Sequence, residues 1–396
     1  MKRREAIKMA GFGALSLLRS RDTESPRPAF ERSVELPAKL EGGFIELWDS
    51  MKNFGGHWGN GWTSYPIDWN AVLDSMREIG MTTIILKRLA VKVDSNIDKL
   101  YEPGGNGGPA GEILRLAQDK GMKVYLGLVD EPEFSFEQVT ERYLFGRNAA
   151  EAADRRSVFG RNREVAREAW PLFREFRSFA GWYIPNELWN LNLSGGKSGL
   201  LHRFLLRTTK YLREDLARAE SAMWRARAAE KQMAVSPYFN REYRGNGELA
   251  SPAEVRREYS TILNGAGIDI VMVQDSYAVS GYDDAFVDAF GDAARAAKAQ
   301  FWVNVENFAG GCPAPFARLT RQLELAKAHR PDKLVTFDFF HFMNPVVQDC
   351  CAQRDAPPML CSEVTAIPCR DRFGSPVAEA GLLQRKVLYE QYRAAL

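Results

Sequence analysis

The chain has little of what several common chemistries require. Its 396 residues include 4 histidines, none paired four apart around a glutamate, which argues against a helical zinc-hydrolase site. Of the 5 cysteines, Cys312 stands alone, while Cys350, Cys351, Cys361 and Cys369 crowd into one Pro-rich segment without C-x-x-C spacing, so a structural zinc site is not expected. There is no Gly-x-Ser-x-Gly elbow for acyl transfer. The run Ser194-Gly195-Gly196-Lys197-Ser198 fails as a phosphate-binding loop because Leu191 stands where its first glycine belongs. Neither sign of charge is in excess: 53 Lys plus Arg against 51 Asp plus Glu leave +2, too little to point to nucleic acid or an acidic membrane as partner. No apolar run reaches membrane length, so no stable membrane insertion is expected. What is present is 45% hydrophobic residues, enough for a large core, and 11% aromatics including 9 Trp, a supply suited to stacking on the apolar faces of sugars.

The N-terminus reads Met1-Lys2-Arg3-Arg4-Glu5-Ala6-Ile7-Lys8, followed by a short apolar stretch from Met9 to Leu18 and a polar, Pro-containing segment. This resembles a twin-arginine export signal, with Ala6 in place of the usual bulky aromatic and no clean small-x-small cleavage site after it. A basic disordered tail would carry the same charges. Residues 1–35 are expected to be signal and linker, and 36–396 an exported domain, periplasmic or secreted. In an oxidising compartment the crowded cysteines can form one or two disulfides, and the odd total leaves at least one free thiol.

Eight short β-branched or aromatic runs alternate with amphipathic stretches: Phe44 to Trp48, Thr82 to Lys87, Lys123 to Val129, Gly181 to Pro185, Gln232 to Val235, Ile268 to Gln274, Phe301 to Val305 and Leu334 to Phe340. Helical candidates between and after them are Trp69 to Ile79, Gly111 to Lys120, Leu200 to Glu230, Pro252 to Asn264, Asp283 to Lys298, Pro315 to Ala328 and Val377 to Ala394. Continuous apolar strands with helical crossovers predict an α/β fold, a single (β/α)8 TIM barrel. Two insertions are expected, Asp130 to Ala169 after strand three and Phe342 to Ser375 after strand eight, both at the strand C-terminal end where a barrel holds its ligand.

Two of these runs, Gly181-Trp182-Tyr183-Ile184-Pro185-Asn186-Glu187 and Phe301-Trp302-Val303-Asn304-Val305-Glu306, stop abruptly at a glutamate. Each carboxylate is thereby expected at the barrel mouth. Two carboxyls facing one glycosidic bond are what sugar hydrolysis needs, one to protonate the leaving oxygen and one to attack or to activate water. Strand alternation gives Trp302, Asn304 and Glu306 one face, so Asn304 lies one layer below the carboxylate. Other polar strand ends surround the same mouth: Glu46, Trp48 and Asp49; Lys87 and Arg88; Asp130 and Glu131; Tyr238 and Asn240; Gln274, Asp275 and Tyr277; Asp338 and His341. Lys87 and Arg88 can lower a nearby nucleophile's pKa or bind a uronate. The Gly-rich segment carrying Trp58 and Trp62 either presents two rings to a sugar chain or packs as an Ω-type loop. Trp189, beyond the strand, is a stacking candidate, whereas Trp182 is expected in the core.

Asn186-Glu187 ending the fourth strand and Glu306 ending the seventh resemble the arrangement in clan A glycoside hydrolases, retaining enzymes built on the (β/α)8 barrel. That resemblance implies Glu187 as general acid/base, Asn186 as the contact to the sugar 2-hydroxyl and Glu306 as nucleophile. The run from Gly181 to Glu187 is also similar to that of an exported bacterial family of glycosidase-like barrels. Where the clan often carries an aromatic at the end of strand eight, this chain offers Phe340, His341 and Phe342. The expectation is therefore an exported glycoside hydrolase acting on a poly- or oligosaccharide, without a cofactor. Glu187 and Glu306 are its catalytic candidates, with Asn186, Trp48, Trp58, Trp62, Lys87, Trp189, Tyr238, Tyr277, Asn304 and His341 contacting the carbohydrate. Two alternatives stay open: a catalytically silent carbohydrate-binding or polysaccharide-export accessory barrel, and a metal-dependent hydrolase using Asp130, Glu131 or Asp338.

Overall fold

A computed structural model describes residues 35–46, 68–93, 96–101, 105, 107–131, 140–146, 157–186, 188–191, 193, 197–242, 249–278, 280–309, 312–346, 369–370 and 376–396. Eight parallel strands close into a barrel: β1 (Gly42–Ile45), β2 (Thr83–Leu86), β3 (Lys123–Gly127), β4 (Phe179–Ile184), β5 (Gln232–Val235), β6 (Ile270–Gln274), β7 (Gln300–Glu306) and β8 (Lys333–Phe337). Each pairs with its neighbours in chain order and β8 returns to β1. The chain is thus a (β/α)8 TIM barrel. Strands covered on both faces need apolar residues at consecutive positions, which is why β2 reads Thr-Ile-Ile-Leu and is buried throughout.

The principal helices are α1 (Trp69–Glu78), α2 (Gly108–Asp119), α3 (Val158–Phe173), α4 (Ser198–Lys210), α5 (Pro252–Leu263), α6 (Asp284–Ala296), α7 (Phe316–Ala328) and α8 (Ala378–Ala394). Polar caps start α1, α3 and α5. Asp68 caps α1 by accepting from the Ala71 N–H, Ser157 caps α3 by accepting from Gly160, and Ser251 with Glu254 forms a reciprocal capping box on α5.

The barrel interior is filled, and this fixes where a ligand can go. Phe44, Ile85, Tyr125, Tyr183, Met272, Trp302 and Val335 form the inner cluster. Beneath them, at the N-terminal end, the Tyr125 hydroxyl donates to Gln232 Oε1 at 2.6 Å, Trp302 Nε1 donates to Gln300 Oε1 at 3.0 Å, and Lys333 Nζ reaches Thr83 Oγ1 at 3.1 Å. A plug of this kind leaves only the C-terminal mouth for chemistry.

Several boundaries differ from the sequence expectation. The last strand ends at Phe337, not Phe340: the Phe337–Asp338 peptide is cis, and Phe339–Phe342 form a helical turn in which the Met343 N–H bonds the Phe339 carbonyl at 3.0 Å. An apolar run does not distinguish a buried strand from a buried helical turn. The stretch read as one helix from Leu200 to Glu230 is three pieces, α4, a π-turn over Tyr211–Asp215 and a short helix Ala222–Ala229 opened by Ser221. The segment read as an insertion from Asp130 to Ala169 contains most of the crossover helix α3. A small sheet absent from the sequence reading lies beside the mouth, where Ala90–Val93 pairs antiparallel with Asn96–Lys99 and parallel with Val129–Asp130. Residues 347–368, most of the other expected insertion, lie outside the described residues, as does the twin-arginine-like segment. Among the described residues no helix is long and apolar enough to cross a membrane.

Candidate active site

Glu306 ends β7, opposite Phe337 in the register. Because Trp302 belongs to the inner cluster, alternation along β7 turns Asn304 and then Glu306 to the same inner face. Glu306 is only 2% exposed. A carboxylate so deprived of water needs protein donors, and the Ala278 N–H supplies one, 2.7 Å from Oε2. The backbone of the same residue is held as firmly: its N–H donates to Asp275 Oδ1 at 3.3 Å, and its carbonyl accepts from Gln322 Nε2 at 3.0 Å and Arg318 Nη2 at 3.5 Å.

Asp275, just beyond β6, is fully buried. Burial pushes its carboxyl up to about 6, against the opposing effect of its hydrogen bonds from Gln322 and from the Tyr277 and Glu306 amides and of the Arg318 charge. Tyr277 is partly buried, with the Arg318 guanidinium 4.5 Å from its ring centroid.

At the end of β4, Asn186 is 2% exposed, and neither its amide oxygen nor its amide nitrogen has a hydrogen-bond partner among the described residues. Glu187, Trp48, Trp58 and Trp62 lie outside the described residues. Trp189 and Tyr238 stack on one another across the ends of β4 and β5, their centroids 5.2 Å apart and their planes 8° from parallel. Asn190 ties the same two loops together, donating to the Asn240 carbonyl and accepting from the Asn240 N–H, each at 2.9 Å. One layer down, Asn304 Nδ2 reaches Ser236 Oγ at 3.5 Å, while its Oδ1 is buried without a partner among the described residues. Unpaired buried amide atoms are costly in a closed interior and are accounted for where a hydroxyl-rich ligand or water meets them.

Across the mouth, Lys87 Nζ lies 3.4 Å from Glu46 Oε1 and 3.8 Å from Asp130 Oδ2, and Arg88 bonds the same two carboxylates, Asp130 at 2.6 Å. Two cations are therefore matched by two anions. Lys87 and Arg88, expected from the sequence near a uronate or a nucleophile, thus stand in ion pairs with Glu46 and Asp130. Glu131 is likewise committed, gripped by Arg161 at 2.6 Å and by the Tyr143 hydroxyl at 2.6 Å. The backbone of His341 sits in the helical turn after β8, and its side chain lies outside the described residues. The aromatic at the end of β8 is Phe337, between Phe44 at 5.3 Å and Phe308 at 6.1 Å. Gln322, Arg318, Phe337 and the Ala278 N–H all went unnoticed in the sequence. Only the four-residue spacing of Arg318 and Gln322 on one helix face was available there as a signal. Among the described residues no group of three His, Cys, Asp or Glu side chains is arranged to hold a metal ion.

The family model described as "Domain of unknown function (DUF4434)" matches residues 40–349. The chain belongs to that family. The matched region of this DUF4434 protein spans all eight strands from just before β1. No curated protein matches the chain significantly. Among solved structures, a "putative alpha-L-fucosidase" from Bacteroides thetaiotaomicron VPI-5482 superposes with a TM-score of 0.60 at 20% identity, covering 95% of this chain and 99% of that one. An endo-1,4-beta-D-mannanase from Thermotoga petrophila RKU-1 gives 0.46 at 11% identity over 76% of this chain and 88% of its own. A GH18 chitinase from Pseudoalteromonas aurantia gives 0.39 at 12% identity over 69% and 90%. What the first of these shares with the DUF4434 protein at such identity is the barrel fold.

Proposed function

We propose that this protein is an exported glycoside hydrolase acting on a poly- or oligosaccharide by a retaining mechanism, with Glu306 as nucleophile and Glu187 as general acid/base. The observation that carries the reading is the buried Glu306 carboxylate at the mouth, held by the Ala278 N–H and facing the barrel axis. Supporting it are the buried amide of Asn186, next to Glu187 in sequence and without a partner among the described residues, and the Trp189–Tyr238 stack at the ends of the neighbouring strands.

In this mechanism a Glu306 oxygen attacks the anomeric carbon while Glu187 gives its proton to the departing glycosidic oxygen. Glu187, now ionised, takes a proton from water, whose oxygen displaces Glu306 and restores both residues. The glycosidic bond and one water are consumed, and the enzyme is regenerated. Retention requires the two carboxyls to stand about 5–5.5 Å apart.

The deciding experiment is release of reducing sugar from a polysaccharide panel, followed by trapping with an activated 2-fluorosugar. Labelling of Glu306 is expected. A label on Glu187 reverses the roles, and turnover without any label rules out the retaining mechanism. Binding of a panel member with no release of sugar would establish a catalytically silent barrel instead. Export is tested separately: a reporter fused after residue 35 should leave the cytoplasm, and replacing Arg3 and Arg4 by Lys should retain it.

A further inference from the structure

The turn after β6 is built around a carboxylate to which the proposed chemistry assigns no part. Asp275 accepts three hydrogen bonds: at Oδ1 from the Tyr277 N–H (3.2 Å) and the Glu306 N–H (3.3 Å), and at Oδ2 from Gln322 Nε2 (2.6 Å). Its own N–H donates to the Asn304 carbonyl at 3.0 Å. The contact to Tyr277, two residues on, closes an Asx turn. Between them Ser276 has φ 52°, in the left-handed region that a non-glycine residue keeps only when its surroundings hold it there. Part of that hold is the Ser276 hydroxyl, which accepts from the Phe239 N–H at 3.2 Å. The consequence of the turn is the direction of the next amide, that of Ala278, which bears on Glu306 Oε2.

Gln322 is not at liberty to rotate. Its Oε1 accepts from Arg318 Nε at 3.0 Å, one turn earlier on α7, so its amide nitrogen faces both Asp275 and the Glu306 carbonyl. Hydrogen bonds therefore run from Arg318 through Gln322 and Asp275 to the Glu306 backbone, and the turn that Asp275 closes at Tyr277 carries the chain on to the Ala278 N–H and the Glu306 carboxylate.

We propose that Asp275 is a positioning residue: its ionised carboxylate, aimed by Gln322, locks the turn after β6 onto the end of β7 so that the Ala278 N–H bears on the Glu306 carboxylate. This deepens the reading of Glu306 as nucleophile and rests on it for its catalytic meaning. A fixed N–H on one oxygen keeps the carboxylate from turning about its terminal torsion and so holds the attack geometry. An ionised Asp275 accepts from all three donors, whereas a protonated one carries a hydrogen that must point at one of them. The titratable and charged groups around it are Glu306 on β7, Arg318 on α7, Tyr277 in the turn and Tyr282 beyond it, whose phenol is raised by burial first and then by the charges of Asp284 and Asp275. With burial lifting Asp275 to about 6, the lock opens on the acid side of that pH and not down in the ordinary carboxylate range.

The test reads the Ala278 amide directly by NMR in the full-length protein. In the wild type its chemical shift should step near pH 6. In Asp275→Asn that step should vanish, and the amide should exchange with solvent about tenfold faster, as expected for one lost hydrogen bond. Gln322→Met keeps the carboxylate but removes a donor to its charged form, so the step should move to higher pH and exchange should again quicken. This second variant decides the matter if Asp275→Asn does not fold. Unchanged exchange and titration of Ala278 in the folded variants overturn the positioning role, even with Glu306 labelled by the fluorosugar. Conversely, the expected Ala278 response in a protein whose Glu306 takes no label supports the lock and sinks only the glycosidase reading.

Discussion

The Lys87 ammonium lies 5.0 Å from the centroid of the Phe337 ring, poised between Glu46 and Asp130. It tethers the aromatic at the end of β8 to the charges at the ends of β1 and β3, and with Arg88 it balances both carboxylates. This cation is engaged by two carboxylates and one aromatic face of the protein itself.

Replacing Lys87 by Met should therefore weaken neutral and uronic acid substrates alike, with the ratio of their kcat/KM values moving by less than about twofold. Steady-state kinetics on a matched neutral and acidic pair checks this. A tenfold loss confined to the uronate would show that Lys87 reaches the substrate after all.

The Trp189–Tyr238 stack joins the ends of β4 and β5 beside the mouth. Truncating Trp189 to Ala removes a stacking face worth roughly 0.5–1.5 kcal/mol beyond its buried area. KM for an oligosaccharide should rise several-fold, while kcat for a short aryl glycoside stays near the wild-type value. Equal losses on both substrates would place the stack in support of the chemistry and not of the sugar chain.

The Arg161–Glu131 pair is a stability element. Both partners are buried, and Arg161 approaches Glu131 from Nε and Nη2 at 2.6–2.8 Å. Removing one partner strands a buried charge, so Arg161→Met should cost about 3–5 kcal/mol in urea unfolding. The double variant Arg161→Met with Glu131→Leu should recover much of that loss; if it is as unstable as the single variant, packing and not charge is the cause.

The stability of the fold should carry the signature of Asp275. Its native carboxyl titrates at about 6, above the ordinary 3.8, because burial disfavours the charge. A raised acid favours the folded state fully below 3.8, and the advantage is lost as pH rises through about 6. At 1.36 kcal/mol per pH unit, the stability of the wild type relative to Asp275→Asn should fall by about 3 kcal/mol between about pH 3 and pH 7. Urea melts of both proteins at the two pH values measure the difference; a constant offset would mean that Asp275 titrates normally. In the wild type the ionised group is thus kept at a cost in stability, as expected where a charge serves a site.

Much of the barrel was legible residue by residue. Gln232–Val235 is the fifth strand in both the sequence reading and the structure, and the run ending at Glu306 is the seventh, because a strand buried on both faces has no alternative to an apolar run. Helix starts at Trp69 and Pro252 were equally readable, since a capping side chain acts within three residues of itself. The break after Lys210 was not, because the apolar period continues through the π-turn and the residues that end it have no local signature.

The sequence by itself determined the strands, the parity that gives Trp302, Asn304 and Glu306 one face, and the concentration of polar residues at strand ends. All of these follow from interactions along one segment. That this face is the inner one came from the packing of Trp302. Only the tertiary structure decided which charges are spent and which groups meet. Lys87 finds Glu46 and Asp130 from 41 and 43 residues away because three strands end side by side. Asp275 meets Gln322 because α7 packs behind β7. One donor to the Glu306 carboxylate is a backbone N–H, which every residue but proline possesses, and so only the path of the chain could single out Ala278.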